Sequence, residues 1–476
     1  MNAKAPRWLR RGTRLLVIFA ALTVVFVASV TLVFLLPRGP IKRHLAESIP
    51  QLEAEGTAYR PFFDIPSYQL DGFTDPLMLN VALGRPGESA LRAGLEDVFA
   101  LPPNTSASQL SGSWATLPQL KAGLADQYSN AFPYARYWHG YLLLLRPALV
   151  VLTYPAIRFV NMFLFAAAAL GTALLLARRF GGRLAFAFVL ALLWVSALII
   201  PMSLQFSSVF MLAMLASIVV LAFGDKSWFR RWDLEVFLVI GMLTAFFDLF
   251  TAPLVTLGLP LLMLLLVLES VHEEYGMRSG VVETVKLGAV WSVGYAFSWA
   301  SKWFIGSAVL GWSVLTNALS DFKFWTTTSA PVFQGSVASA RAHSLGPIGA
   351  NLAMLVPLFG LGDNLAGLQT ETVVATVALA FAVVAVVLVL AVCFHKPWVR
   401  WTRQVPLLAV AALPYIWYAL WHTPSTQHFW FNYRSQVITL FAILAFLLRN
   451  TDYDAIAARI RAWSWVRRLL ERDAIA

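Results

Sequence analysis

One cysteine in 476 residues, Cys393, leaves nothing to form a disulfide and no thiolate cluster to hold a metal. Charge is scarce too. Asp, Glu, Lys and Arg make up 13% of the chain against 59% hydrophobic residues, and the mean hydropathy of +0.69 excludes an ordinary soluble domain. There is no internal repeat, no matching pair of Gly/Pro-interrupted spans in two halves and no run of charges along one span to line a transport path. A cleavable leader is not expected. Basic residues do precede an apolar stretch, but Leu15 to Leu36 is longer than the roughly 7 to 15 residues of a signal-peptide core and lacks a small-residue cleavage pattern.

Long apolar runs are what the chain has in quantity. Windows able to cross about 30 Å of hydrocarbon lie near 14–36, 157–177, 184–201, 207–223, 235–250, 252–268, 287–310, 372–394, 405–421 and 434–448. They predict an all-α polytopic membrane protein with about ten transmembrane helices. Placing both termini in the cytoplasm collects on that side the basic residues before Arg14, the groups around Arg179, Arg230, Lys286 and Arg400, and the arginines from Arg449 onward. That is more than half of the 36 lysines and arginines, whereas the short outer turns near 202–206, 251 and 422–433 carry none. The net charge of +11 therefore reflects membrane orientation, and no nucleic-acid partner is implied. The chain divides into an N-terminus and first span (1–36), an extracytoplasmic loop (37–156), spans two to seven (157–310), a second extracytoplasmic region (311–371), spans eight to ten (372–448) and a basic amphipathic tail (449–476). A bacterial cytoplasmic membrane, with membrane lipids as neighbours, is the expected location. Tyr141 to Tyr154 is too short to cross and reads as an interfacial helix, as does the apolar stretch Ile348 to Leu361, which can also be re-entrant.

The first outer loop is the place to look for chemistry, because two spans can be joined by a short turn and this connection is long, polar and aromatic-rich. Residues 62–75, FFDIPSYQLDGFTD, put Asp64, Asp71 and Asp75 in it. Ionisable groups also gather at the outer ends of spans, where their cost in the membrane marks a path or a site. Asp248 ends the fifth, Lys302 lies in the outer half of the seventh, Arg158 opens the second and Arg434 opens the tenth. Arg136, Tyr137, Trp138, His139 and Arg146 stand just before the second span, and His422 and His428 beside Arg434. Each has a structural reading as well. Arg158 and Arg434 can snorkel to headgroups, Lys302 can pair with Asp248, His139 can belong to an aromatic belt, Asp75 before Pro76 can cap a helix, and Asp71 and Asp64 can be turn residues.

Acids and cations together at headgroup height suit a lipid-linked sugar, whose phosphate sits there while its tail lies in the bilayer. Cations would hold the phosphate and stabilise the leaving group. A loop carboxylate would take the proton of an attacking hydroxyl, and rings such as Tyr137, Trp138, Trp325, Trp430 and Phe431 would stack on sugar faces. The expectation is that these acids and cations line one shared cavity.

In layout, and in the strings LDGFTDPLMLN, YARYWHGYLLLLRP, FFDLFTAPLVTLG, SWASKWFIG and HFWFNYRS, the chain resembles GT-C type integral-membrane glycosyltransferases of bacterial cell-envelope polysaccharide assembly. The resemblance implies inverting transfer from a polyprenyl-phosphate sugar donor to a cell-envelope glycan or glycolipid. It also implies Asp71 or Asp75 as base, Asp248 as a further acid, and Lys302 and Arg434 on the phosphate; by their position at headgroup height, Arg146, His139 and His428 are further substrate-binding candidates. Asp71 is the first choice of base. Departures are the wide spacing of the acids, where such enzymes carry a tight pair, and the lack of a soluble C-terminal domain. The aspartates offer hard oxygen ligands for Mg²⁺ or Mn²⁺, but no spacing marks a metal loop, so an obligatory cofactor is not expected. The alternatives are a transporter or flippase for a lipid-linked glycan, a non-catalytic scaffold for a partner enzyme, and an acyltransferase.

Overall fold

The computed structural model describes residues 6–56, 59–62, 66–103, 116–327, 346–355 and 401–461, with short stretches between 378 and 396. Asp64, most of the window 372–394, the end of the stretch 348–361 and the tail from 462 lie outside them. The described chain is nearly all-α. In order it forms α1 (Arg7–Val33), α2 (Arg38–Glu55), α3 (Thr74–Leu83), α4 (Ala90–Glu96), β1 (Val98–Ala100), α5 (Thr116–Leu124), β2 (Ala131–Pro133), α6 (Leu142–Val151), α7 (Tyr154–Phe180), α8 (Gly182–Trp194), α9 (Leu204–Phe223), α10 (Ser227–Phe247), α11 (Val255–Val271), α12 (Met277–Leu310) and α13 (Val314–Thr326). Helices at Val405–Ala411, Leu413–Leu420, Val437–Asn450 and Tyr453–Arg461 follow. The two strands pair antiparallel, with Phe99 opposite Phe132.

Among the described residues four helices are long and apolar enough to cross a membrane: Trp8–Val33 within α1, α7, α9 and the segment Phe429–Asn450. Other apolar windows take different forms. The run at 184–201 ends as a helix at Trp194 and continues through turns into a 3₁₀ turn at Ile200–Met202. The run at 405–421 breaks at Ala412, where Pro414 opens the next helix and has no N–H to continue the previous one. Helix α11 is 17 residues long and buried on every side from Val255 to Leu268, as an apolar helix surrounded by protein must be.

Helices α1, α10 and α12 run parallel. At one end Arg11 pairs with Asp233, Arg14 with Glu235 at 2.9 Å and Arg230 with Glu283 at 2.8 Å. At the other end Phe26 stacks on Phe246 with ring centroids 4.1 Å apart, and Trp138 donates to the Ser298 carbonyl at 2.7 Å. Small residues let α10 and α12 approach closely: a Cβ on Gly241 would lie 2.2 Å from the Trp291 carbonyl oxygen, and one on Gly294 2.4 Å from that of Leu238.

The described part of the loop between α1 and α7 is folded. Helix α2 turns Ile41, Leu45, Ser48 and Leu52 inward at helical spacing, and Leu77, Leu79, Leu142, Leu145 and Leu149 join its apolar residues in one core. This core carries the loop acids.

Candidate active site

Asp71 and Asp75 are separated by one turn at the start of α3, where the Asp75 N–H donates to the Asp71 carbonyl at 3.3 Å. Both side chains are buried, at 3% and 2% exposure. They line a cavity of about 220 Å³ whose other walls are Leu52, Glu55 and Gly56 at the end of α2, Leu70, Gly72 and Pro76, Thr116 to Pro118, and Tyr154 and Arg158 in the first turn of α7.

The two carboxylates differ in what they bind. Asp75 is saturated: it accepts from the Tyr154 hydroxyl at 2.5 Å, from Ser203 Oγ and the Leu204 N–H at 3.0 Å, and from the Gln205 N–H at 3.4 Å. It therefore caps the N-terminus of α9, where the free N–H groups and the helix dipole favour an anion. The expected cap of its own helix is corrected: α3 begins at Thr74, before Asp75, with no side-chain cap, and the Asp75 carboxylate caps α9 across the fold instead. Asp71 uses only one oxygen. Its Oδ1 accepts from the Phe73 and Thr74 N–H groups at 3.2 and 2.7 Å, while Oδ2 is buried with no partner. Burial, reinforced by the neighbouring Asp75 charge, raises the Asp71 carboxyl to about 7.

One arginine lines this cavity and a second acts on Asp71 from outside its walls. Arg158 holds Glu55 in a two-pronged pair at 2.6 and 3.0 Å, and its other contact is the Tyr154 hydroxyl. Arg434 interacts electrostatically with Asp71 and donates to the Ser67 carbonyl at 2.9 Å, with its guanidinium over the Phe206 ring. His428 is stacked on Phe431 nearby in sequence, with ring centroids 5.1 Å apart.

The other predicted residues lie elsewhere, so the expectation of one shared cavity is corrected: of the predicted groups, Asp71, Asp75 and Arg158 line it, and Asp248, Lys302, Arg434, Arg146, His139, His428, Tyr137 and Trp138 do not. Lys302 meets Asp97 at 3.0 Å and the carbonyls of Leu95 and Gly94 at 2.9 and 3.5 Å, which occupies all three of its N–H groups. Its partner is thus Asp97 and not Asp248. His139, at a positive φ of 51°, has its two ring nitrogens 3.0 Å from the Tyr141 hydroxyl and the Tyr134 carbonyl. Burial and the Lys302 charge hold its imidazole neutral, with the pKa lowered to about 3. Arg146 donates to the carbonyls of Val33 and Ala82 and lies over Phe34, tying the ends of α1 and α3 together.

Asp248 follows α10 in a turn where it accepts the Thr251 N–H at 2.9 Å and leaves Oδ2 buried and unpaired. That turn carries Phe250 at a φ of 68° into a cluster of rings from Trp299, Trp325, Trp417 and Trp421, with Tyr137 against Trp299. Trp138 packs against the side of the stacked Phe26 and Phe246 pair. Among the described residues no three His, Cys, Asp or Glu side chains gather as ligands for a metal.

Glu55, Tyr154, Ser203 and Asp97 were not singled out from sequence. The first three gather around Asp75 and Arg158, and nothing in their local strings marks that meeting. No family model matches the chain, and no curated protein or solved structure matches it either.

Proposed function

We propose that the protein is a membrane glycosyltransferase of GT-C-like, ten-span layout that moves a sugar from a polyprenyl-phosphate donor to a cell-envelope glycan or glycolipid on the extracytoplasmic face. The observation that carries this reading is the buried Oδ2 of Asp71, without a hydrogen-bond partner, in a cavity that Arg158 also lines. A base works best with a pKa near the working pH, and Asp71 has one. In the reaction the acceptor hydroxyl oxygen attacks the anomeric carbon and its proton passes to Asp71 Oδ2. The bond from that carbon to the phosphate oxygen breaks with inversion, and polyprenyl phosphate leaves with the electron pair. Guanidinium groups beside the cavity stabilise the charge that grows on the departing phosphate.

The parallel course of α1, α10 and α12 supports the orientation, since first, fifth and seventh spans must all run the same way. Clustering of their basic N-terminal ends supports placing that end in the cytoplasm.

The test uses the full chain in nanodiscs with polyprenyl-phosphate hexoses and pentoses, envelope glycan as acceptor, and release of polyprenyl phosphate as readout. One donor should turn over in the wild type. Asp71→Asn should slow it by about 10² to 10⁴-fold while still binding donor. Absence of turnover with every donor, or full activity in Asp71→Asn, defeats the proposal.

A further inference from the structure

Arg158 stands in the first turn of α7, inside the wall of the Asp71 cavity, and its charge is taken up by Glu55, the last residue of α2. The pair is two-pronged, at 2.6 and 3.0 Å, and the side chains keep 10% and 8% exposure. A planar guanidinium offers the same fork to a carboxylate and to a phosphate. One further donor, Arg158 Nε, is buried without a partner, so the guanidinium is not saturated by Glu55. The surroundings fit an amphiphile. The cavity mixes this charge with Leu52, Leu70, Leu117, Pro76 and Pro118, and one residue beyond Arg158 the outward face of α7 begins with Phe159 and Phe163 at 73% and 71% exposure.

We infer that Arg158 is a phosphate-binding residue and that Glu55 is its exchangeable counter-ion, occupying the place a phosphate takes when ligand enters. This rests on the glycosyltransferase reading for its ligand, a phosphate ester at headgroup height, and adds the residue that receives the phosphate and the one that must give way. Glu55 then works as a specificity filter. A neutral molecule gains nothing by displacing it, whereas a dianionic or monoanionic phosphate exchanges one two-pronged pair for another. The cost of parting Arg158 from Glu55 is set against the new contact, so removing the charge of Glu55 should tighten phosphate binding.

The experiment measures binding of sugar-free decaprenyl phosphate to the full chain in nanodiscs, with inorganic phosphate in a parallel arm. Glu55→Gln should lower the Kd for decaprenyl phosphate about tenfold, and Arg158→Gln should raise it by at least as much, with Arg158→Lys in between. A response of the lipid phosphate far exceeding that of inorganic phosphate identifies the headgroup as the source; an equal response in both arms identifies a free-phosphate site. Unchanged Kd in both Glu55→Gln and Arg158→Gln overturns the inference. If those Kd values are unchanged while Asp71→Asn still abolishes transfer, this inference alone fails. If they move and no donor turns over, the phosphate site stands without sugar transfer.

Discussion

Lys302 and Asp97 form an ion pair 3.0 Å long with both side chains wholly excluded from solvent, linking α12 to the residue between α4 and β1. Asp97 reaches it from a left-handed backbone, at a φ of 52°. The loop after α1 is thereby pinned to the bundle. Removing one partner strands a buried charge, which costs about 3 to 5 kcal/mol, whereas removing both with apolar residues of similar size costs far less. Lys302→Met should therefore lower the unfolding temperature in detergent sharply. Asp97→Leu combined with Lys302→Met should recover most of it and retain sugar transfer. A double variant as unstable as the single one would show that the pair is not the cause.

Asp75 and Asp71 should separate in the same way when each is changed. Asp75 serves Tyr154 and the N-terminus of α9, so Asp75→Ala leaves the Leu204 N–H and the Tyr154 O–H, which still accepts from Arg158, without an acceptor, at about 1 to 3 kcal/mol for each buried donor. Asp75→Asn keeps an acceptor and a good helix cap. Thermal unfolding should rank wild type above Asp75→Asn above Asp75→Ala, while Asp71→Asn, which keeps the Oδ1 contacts, should unfold close to wild type. Donor turnover should survive in Asp75→Asn and disappear in Asp71→Asn. The reverse pattern would move the base to Asp75.

These contrasts show which parts of the fold could be read from sequence. Apolar length located α1, α7, α9 and the segment ending at Asn450, because burial and lipid demand the same residues over the same distance. It placed the helix at Leu142–Val151 too. It could not tell α11, enclosed by protein, from a span facing lipid, since both are apolar all round. Nor could it foresee the break at Ala412 as more than a proline. At the site, the aspartates and arginines were visible as costly residues in costly places, yet their partners were not. Lys302 is 205 positions from Asp97, and Arg158 is 103 from Glu55. Such pairs depend on tertiary folding of the loop, and no local spacing encodes them.

Several buried groups shape the pH behaviour: the carboxyls of Asp71, Asp97 and Glu88 are raised by burial and the imidazole of His139 is lowered by it. Asp71 holds its proton up to about 7 in the folded protein, against 3.8 as its ordinary value. Its contribution to stability is complete below the ordinary value and is lost as pH rises through about 7, because the folded state binds the proton more tightly. His139 is held neutral down to about 3 against an ordinary 6.5, so its contribution is present above 6.5 and is lost as pH falls toward 3. Between about 4 and 6.5 the slope of His139 opposes those of Asp71 and the other raised carboxyls. Asp71→Asn removes one falling contribution, so the stability of the variant relative to the wild type should climb with pH over that window. Turnover draws on Asp71 alone, needs its ionised form and should rise with pH through a limb near 7. An acid limb that stays near 4, or a wild-type stability profile unchanged by Asp71→Asn, would show that Asp71 is not the high-pKa base.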